Sequence, residues 1–220
     1  MTKNNSTHAI MNQLKLMIDK EVVMKIITKL VYGIGVNDAD YYVLATENFN
    51  GKRKITWRCP YHLVWSNMLK RVYNPTYQLN NQTYRDVKVC EGWLTFSNFK
   101  SWMGEQDYEG KELDKDLLGD GKMYSPETCC FLPRSLNLFL TKNDARRGNY
   151  PLGVSRRARN KSFESSCADP FLKKSIHLGS YKTPEEAHAT WKSYKHKLAC
   201  AYAEQQDDSR IAHALRNRFI

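Results

Sequence analysis

A chain of 220 residues with 34 lysines and arginines against 23 acids carries a formal net charge of +11. It is long enough to bury one large or two small cores, and its charge suits a polyanion better than an acidic substrate or a neutral small molecule. The start, MTKNNSTHAIMNQ, lacks an apolar signal core, and the six cysteines at 59, 90, 129, 130, 167 and 200 are scattered. No apolar run approaches the roughly 20 residues of a membrane span. These features point to a cytoplasmic protein with reduced thiols and no membrane partner.

In chain order, Met11–Val31 places Leu14, Met17, Ile18, Val22, Ile26, Ile27, Leu30 and Val31 at spacings of three and four, which predicts an amphipathic helix. Tyr32-Gly33-Ile34-Gly35 stops it, with no phosphate-loop lysine after the glycines. Tyr41–Thr46 and Lys54–Arg58 flank Asn48-Phe49-Asn50-Gly51, a hairpin signal. Lys52, Arg53, Lys54 and Arg58 decorate it, either as a solvated face or as a ribbon lying on phosphates. Pro60 opens a helix with Leu63, Val64, Met68, Leu69 and Val72 on one face and Trp65 adding an aromatic wall, ended by Tyr73-Asn74-Pro75. Thr76–Asp86 is polar and aperiodic and is expected to be a loop, and Val87–Cys90 a short strand. Trp93, Phe96, Phe99 and Trp102 recur every third residue, a stripe that fits core better than a base-stacking platform.

The most informative stretch is Leu113–Asn137, LDKDLLGDGKMYSPETCCFLPRSLN. A short apolar and acidic run meets the turn Gly119-Asp120-Gly121. Tyr124-Ser125-Pro126-Glu127 then leads to an apolar run at Cys129–Leu132 and a helix after Pro133, so strand, loop, strand and helix follow in order. Such a ββα unit can hold one divalent metal against a phosphodiester. Asp114 and Asp116, two apart on a strand, can share a face, whereas an exposed strand end with ordinary ion pairing has the same composition. Cys59-Pro-Tyr-His62 has one zinc-like spacing but no second pair to close a site, so structural zinc is disfavoured.

WSNMLKRVYNP, VKVCEGWLTFSNFKSWM, LDKD, YSPETC and the helical Asn137 together resemble the HNH, or His-Me finger, endonucleases, in particular phage free-standing enzymes, over about Pro60–Asn137. The resemblance implies Asp114 and Asn137 as ligands of Mg²⁺ or Mn²⁺. It places Lys115 where the family has its general-base histidine and Thr128 where a loop asparagine orients that histidine. A lysine in water holds its proton at neutral pH and does not replace that base. Lys115 is then expected to bind phosphate, and Asp116 or a second metal-bound water to serve as base.

Beyond the polar, basic stretch Lys142–Leu152, three strand-like runs, Gly153–Arg159, Ser162–Ala168 and Ser175–Tyr181, precede a helix signalled by Thr183-Pro184-Glu185-Glu186. From Tyr150 to Cys200 there are 10 lysines and arginines and 4 acids, a net +6. The Gly-Val start, the Leu-Gly-x-Tyr-x-Thr-x-Glu-Glu-Ala turn, Trp191 and Tyr194 make this segment similar to the Apetala/ERF-type DNA-binding domain. That resemblance implies a three-stranded sheet in the major groove backed by the helix. Arg156, Arg157, Arg159, Lys161, Lys174 and His177 are then its DNA-contacting residues. Ser209–Phe219 is expected to be a last short basic helix.

The expected architecture is α+β: an N-terminal helix and hairpin extension (1–58), a ββα-metal finger core (59–141), a linker (142–152) and a small domain of three-stranded sheet and helix (153–220). The expected function is that of a metal-dependent, phage or homing-type endonuclease acting on double-stranded DNA, in the host cytoplasm if phage-encoded. The alternative is a catalytically inactive DNA-binding derivative, a regulator or an inhibitor of host defence. RNA binding has no motif of its own here.

Overall fold

The computed structural model describes residues 30–141, 149–157 and 161–220. The chain is α+β and divides into two compact units: residues up to Gln106 with Lys122–Ser125, and Asp107–Gly121 with Pro126–Ile220. The helix expected over Met11–Val31 lies, except for its last two residues, outside the described residues. No helix among the described residues is long and apolar enough to cross a membrane.

In the first unit, β1 (Leu44–Phe49) and β2 (Lys52–Arg58) form an antiparallel hairpin. Asn50 and Gly51 join them at φ of 50° and 75°, the positive pair that a primed two-residue turn requires. Helix α1 (Pro60–Tyr73) begins on a proline, tolerated because a first-turn N–H has no intrahelical acceptor. It buries Trp65, Met68, Leu69 and Val72. Asn74 ends α1 and starts α2 (Pro75–Asn80), its side-chain oxygen accepting the Tyr77 N–H at 2.9 Å. The loop expected over Thr76–Asp86 is therefore mostly helical, with a 3-10 turn at Gln82–Tyr84 following. A polar N-cap and a proline start that helix without any apolar periodicity to advertise it.

β3 (Lys88–Val89) pairs in parallel with Met123–Tyr124. Helix α3 (Phe96–Gly104) is anchored at its start by Asp38, whose carboxylate accepts the Ser97 N–H at 2.9 Å. Trp93, Phe96 and Phe99 are buried, so the aromatic stripe is core, and Trp102 packs on Trp93 at 4.4 Å between ring centroids. Trp65 is the centre of this core. Its Nε1 donates to the Trp93 carbonyl at 2.7 Å, and its ring meets Phe96 at 5.4 Å.

In the second unit, β4 (Lys111–Asp114) is followed by a turn. β5 (Met123–Tyr124), the partner of β3, comes next in the chain but belongs to the first unit. β6 (Cys130–Pro133) pairs antiparallel with β4, Asp114 opposite Cys130, and leads into α4 (Arg134–Leu140). Then β7 (Val154–Arg157), β8 (Ser162–Asp169) and β9 (Lys174–Tyr181) make an antiparallel sheet in that order. Helix α5 (Pro184–Ala203) starts with the expected capping box: the Thr183 hydroxyl accepts the Glu186 N–H, and the Glu186 carboxylate accepts the Thr183 N–H. Helix α6 (Ser209–Asn217) ends the fold.

Leu132, Leu136 and Phe139 of β6 and α4 share one apolar cluster with Trp191, Leu198 and Tyr202 of α5 and with Leu215 of α6. The basic stretch at 142–152 separates these elements in sequence, but the core between them is continuous. Gly153 sits at φ 78°, and a Cβ there would lie 1.9 Å from Trp191 Cδ1, so only glycine lets the chain enter β7 against that ring.

Two ionisable groups report on this packing. Asp169 Oδ1 accepts the N–H groups of Phe171 and Leu172, each at 2.9 Å, and Oδ2 accepts the Tyr194 hydroxyl at 2.7 Å. The Leu172 N–H, then the Tyr194 hydroxyl, hold its carboxyl below the ordinary range. A depressed carboxylate stabilises the fold above its unfolded pKa, and that contribution is lost as pH falls through the folded value. Tyr194→Phe is thus expected to move the acid-unfolding midpoint, followed by circular dichroism, to higher pH; an unchanged midpoint would refute the coupling.

Lys195 of α5 holds its ammonium 3.5 Å from the centroid of the Phe139 ring, and burial pushes its pKa down to about 8. Between that value and the ordinary lysine pKa the unfolded chain binds the extra proton, so stability rises with pH. Wild type is therefore expected to gain on Lys195→Met in thermal melts as pH rises above about 8, the folded-state value. A constant difference across that window would refute the shift.

Candidate active site

Antiparallel pairing brings Asp114 to the end of β4, beside Leu113, whose side chain is buried. Asp114 is only 7% exposed. Its Oδ1 accepts the Leu117 N–H at 2.8 Å and the Asp116 N–H at 3.0 Å, an arrangement that ends the strand and turns the chain. Burial pushes the Asp114 carboxyl up, and Asp116's charge adds to the effect. The Leu117 and Asp116 N–H groups and the Lys115 charge oppose it, and burial prevails.

Lys115 is also 7% exposed, and its ammonium lies 2.8 Å from Asp116 Oδ1. Gly121, at φ 79°, crosses close to this pair: a Cβ there would come within 2.3 Å of Asp116 Oδ1. Gly119 packs less closely on Thr128, where a Cβ would lie 3.0 Å from the threonine Cβ and Cγ2. At Gly121 it is the left-handed backbone that favours glycine.

Because β4 stops at Asp114, Asp116 falls in the turn and does not share a strand face with it. The side chain of Asp116 is 58% exposed. The carboxylate two residues away within the strand is Glu112, which the sequence reading missed and which strand alternation puts on the face of Asp114. Glu112 Oε2 accepts the Asn137 Nδ2–H at 2.8 Å, and its Oε1 lies 3.6 Å from Arg134 Nη1. The only clue in the sequence was the Glu-x-Asp spacing at a strand end. With its nitrogen committed to Glu112, Asn137 has its amide oxygen for a cation.

Asp114, Glu112 and the Asn137 amide are hard oxygen donors of the kind that suit Mg²⁺ or Mn²⁺. No group of three or more His, Cys, Asp or Glu side chains that could hold a metal is found among the described residues. His62 packs against Trp65 and Phe96, at 5.4 and 5.2 Å between ring centroids.

The three-stranded sheet divides the expected DNA-contacting residues. Ser165, Cys167 and Asp169 of β8 are buried, whereas Ser166 and Ala168 are exposed, so alternate residues face opposite ways. Register partners share a face. Arg157 opposite Ser162 and His177 opposite Ser166 therefore lie on the open face, and Arg156 opposite Phe163 and Lys174 opposite Asp169 on the other. All four are exposed. Arg157 Nε lies 2.8 Å from Glu164 Oε1. Lys161 occupies the β7–β8 connection at φ 51°, and Arg159 is outside the described residues.

No protein-family model matches the chain, and neither a curated protein nor a solved structure matches it significantly.

Proposed function

We propose that this chain is a metal-dependent endonuclease of the HNH type that hydrolyses phosphodiester bonds in duplex DNA. The observation that carries the reading is the β4–β6–α4 unit. It places a buried, hydrogen-bonded carboxylate, Asp114, at the end of one strand and Asn137, held by Glu112, on the helix that follows the other. Support also comes from the net charge of +11 and from the exposed cations Arg156, Arg157, Lys161 and Lys174, with the exposed His177, on and beside the three-stranded sheet.

The chain's own groups divide the work. The Asp116 and Leu117 N–H groups fix one oxygen of Asp114 and leave the other for a ligand. Glu112 sets the rotamer of Asn137. Bound Mg²⁺ or Mn²⁺ supplies positive charge that stabilises the phosphorane-like transition state and the leaving oxygen. The Lys115 ammonium, anchored by Asp116, adds a fixed cation that favours a phosphate nearby. The role of base falls to the exposed carboxylate of Asp116. Thr128 braces the turn through Gly119.

A second reading, a DNA-binding protein without catalysis, is favoured by the same Lys115, which occupies the base position as a buried, ion-paired cation. Supercoiled plasmid with Mg²⁺ or Mn²⁺ separates the two. Nicked or linear product supports the nuclease. Duplex binding that weakens with salt but never cuts supports the binder. No duplex binding even at low salt removes both.

A further inference from the structure

The β1–β2 hairpin has no share in the site just described, yet every residue of both strands is exposed. Such a ribbon is not held out for its own stability, because a two-stranded hairpin in water is marginal. Its side chains are also not those of an inert solvated surface. Phe49 and Trp57 are 67% and 48% exposed, and Lys52, Arg53, Lys54 and Arg58 stand among them with Glu47 as the one acid in either strand.

The register arranges these groups. Ala45 pairs with Trp57 but Thr46 pairs with Ile55, so Thr56 is an extra residue, a bulge. Simple alternation along β2 would put Trp57 with Arg53 and Ile55. Partners across the ladder share a face, so the bulge moves Trp57 to the side of Phe49, Lys52 and Lys54, where Glu47 offsets one charge. Arg53 and Arg58 occupy the opposite side with Ile55. One face therefore joins two exposed aromatic rings to two lysines, the other carries two arginines, and the tip is a tight Asn50-Gly51 turn that adds no bulk.

We propose that this ribbon is a second nucleic-acid contact that enters a groove of duplex DNA, in addition to the three-stranded sheet. The inference rests on the duplex-DNA reading above. A two-stranded ribbon fits the major groove. Cations on both of its faces meet the phosphates of both groove walls, and Phe49 and Trp57 supply apolar contact to base edges or methyl groups. Charge complementarity selects the occupant: four cations against one acid within 13 strand residues match a polyanion and would repel a basic surface.

The test uses the full chain and a fluorescent duplex of roughly 30 base pairs, titrated over a series of NaCl concentrations. Lys52→Gln/Arg53→Gln/Lys54→Gln is expected to weaken binding about tenfold or more at ~0.1 M salt and to lower the salt slope by about 2 to 3, near 0.9 per lost phosphate contact. Phe49→Ala/Trp57→Ala is expected to weaken binding severalfold with the slope unchanged, which mere loss of long-range charge would not reproduce. All five positions are exposed, and circular dichroism melts confirm that each variant folds. Wild-type affinity and slope in the lysine and arginine variant overturn the ribbon and leave the function reading standing. A loss confined to duplex RNA overturns the ribbon in favour of an RNA partner. A wild-type chain that binds no duplex overturns both.

Discussion

Asp114→Asn is expected to abolish plasmid nicking while leaving the fold at least as stable as wild type at neutral pH. Asparagine keeps the side-chain oxygen that accepts the Leu117 and Asp116 N–H groups, so the turn after β4 is preserved. It also removes a charge that burial disfavours. The second oxygen, on the proposed reading the cation's ligand, becomes an amide nitrogen that cannot ligate. The rate should fall by about 10² or more, the equivalent of several kcal/mol of lost charge stabilisation. Nicking assays with Mg²⁺ and Mn²⁺, run beside thermal melts, read both effects. A variant that still nicks at the wild-type rate places the chemistry elsewhere. A variant that is inactive because it unfolds contradicts the assignment of the two N–H bonds to the retained oxygen.

Trp65→Ala is expected to cost the first unit about 4 kcal/mol, in the range for removing a buried aromatic side chain. Trp65 is fully buried against His62 and Phe96, and Gly35 is packed so close that a Cβ there would touch the Trp65 ring and collide with Leu69. Truncation leaves a cavity that neighbours on three elements cannot fill together, and it strips the Trp93 carbonyl of the 2.7 Å donor it has in the core. Urea unfolding followed through the remaining tryptophans measures the loss. A cost below about 1 kcal/mol would mean that Trp65 is not the keystone its burial suggests.

The elements legible in the sequence are those whose local chemistry and long-range packing agree. Pro60 with the spaced Leu69 and Val72 marks α1, Asn50-Gly51 marks the hairpin, and Thr183-Pro184-Glu186 marks the start of α5. The aromatic stripe at Trp93, Phe96 and Phe99 reads as core because hydrophobic burial leaves little choice. Helix α2 was hidden because its start depends on one hydrogen bond, from the Tyr77 N–H to the Asn74 side chain, which leaves no periodic trace. At the candidate site, Asp114 and Asn137 were visible by type and order, whereas the role of Glu112 depends on where β4 ends, and a two-residue error in a strand boundary reassigns the partner carboxylate. The bulge opposite Ala45 and Thr46 belongs to the same class: no pattern in KRKITWR announces that Trp57 changes sides.

On the proposed reading, the apolar cluster that joins Phe139 and Leu136 to Trp191 and Tyr202 gives the second unit the character of a ruler. A nuclease whose reading head hangs on a flexible tether cuts over a spread of positions, because tether length sets only an average reach. Here the sheet that carries Arg157 and His177 and the strand that carries Asp114 are referenced to one set of packed side chains. On the proposed reading, the number of base pairs between recognised sequence and broken bond is then a fixed dimension of the protein, and it would change with side-chain volume in that core rather than with the length of chain that links the two parts.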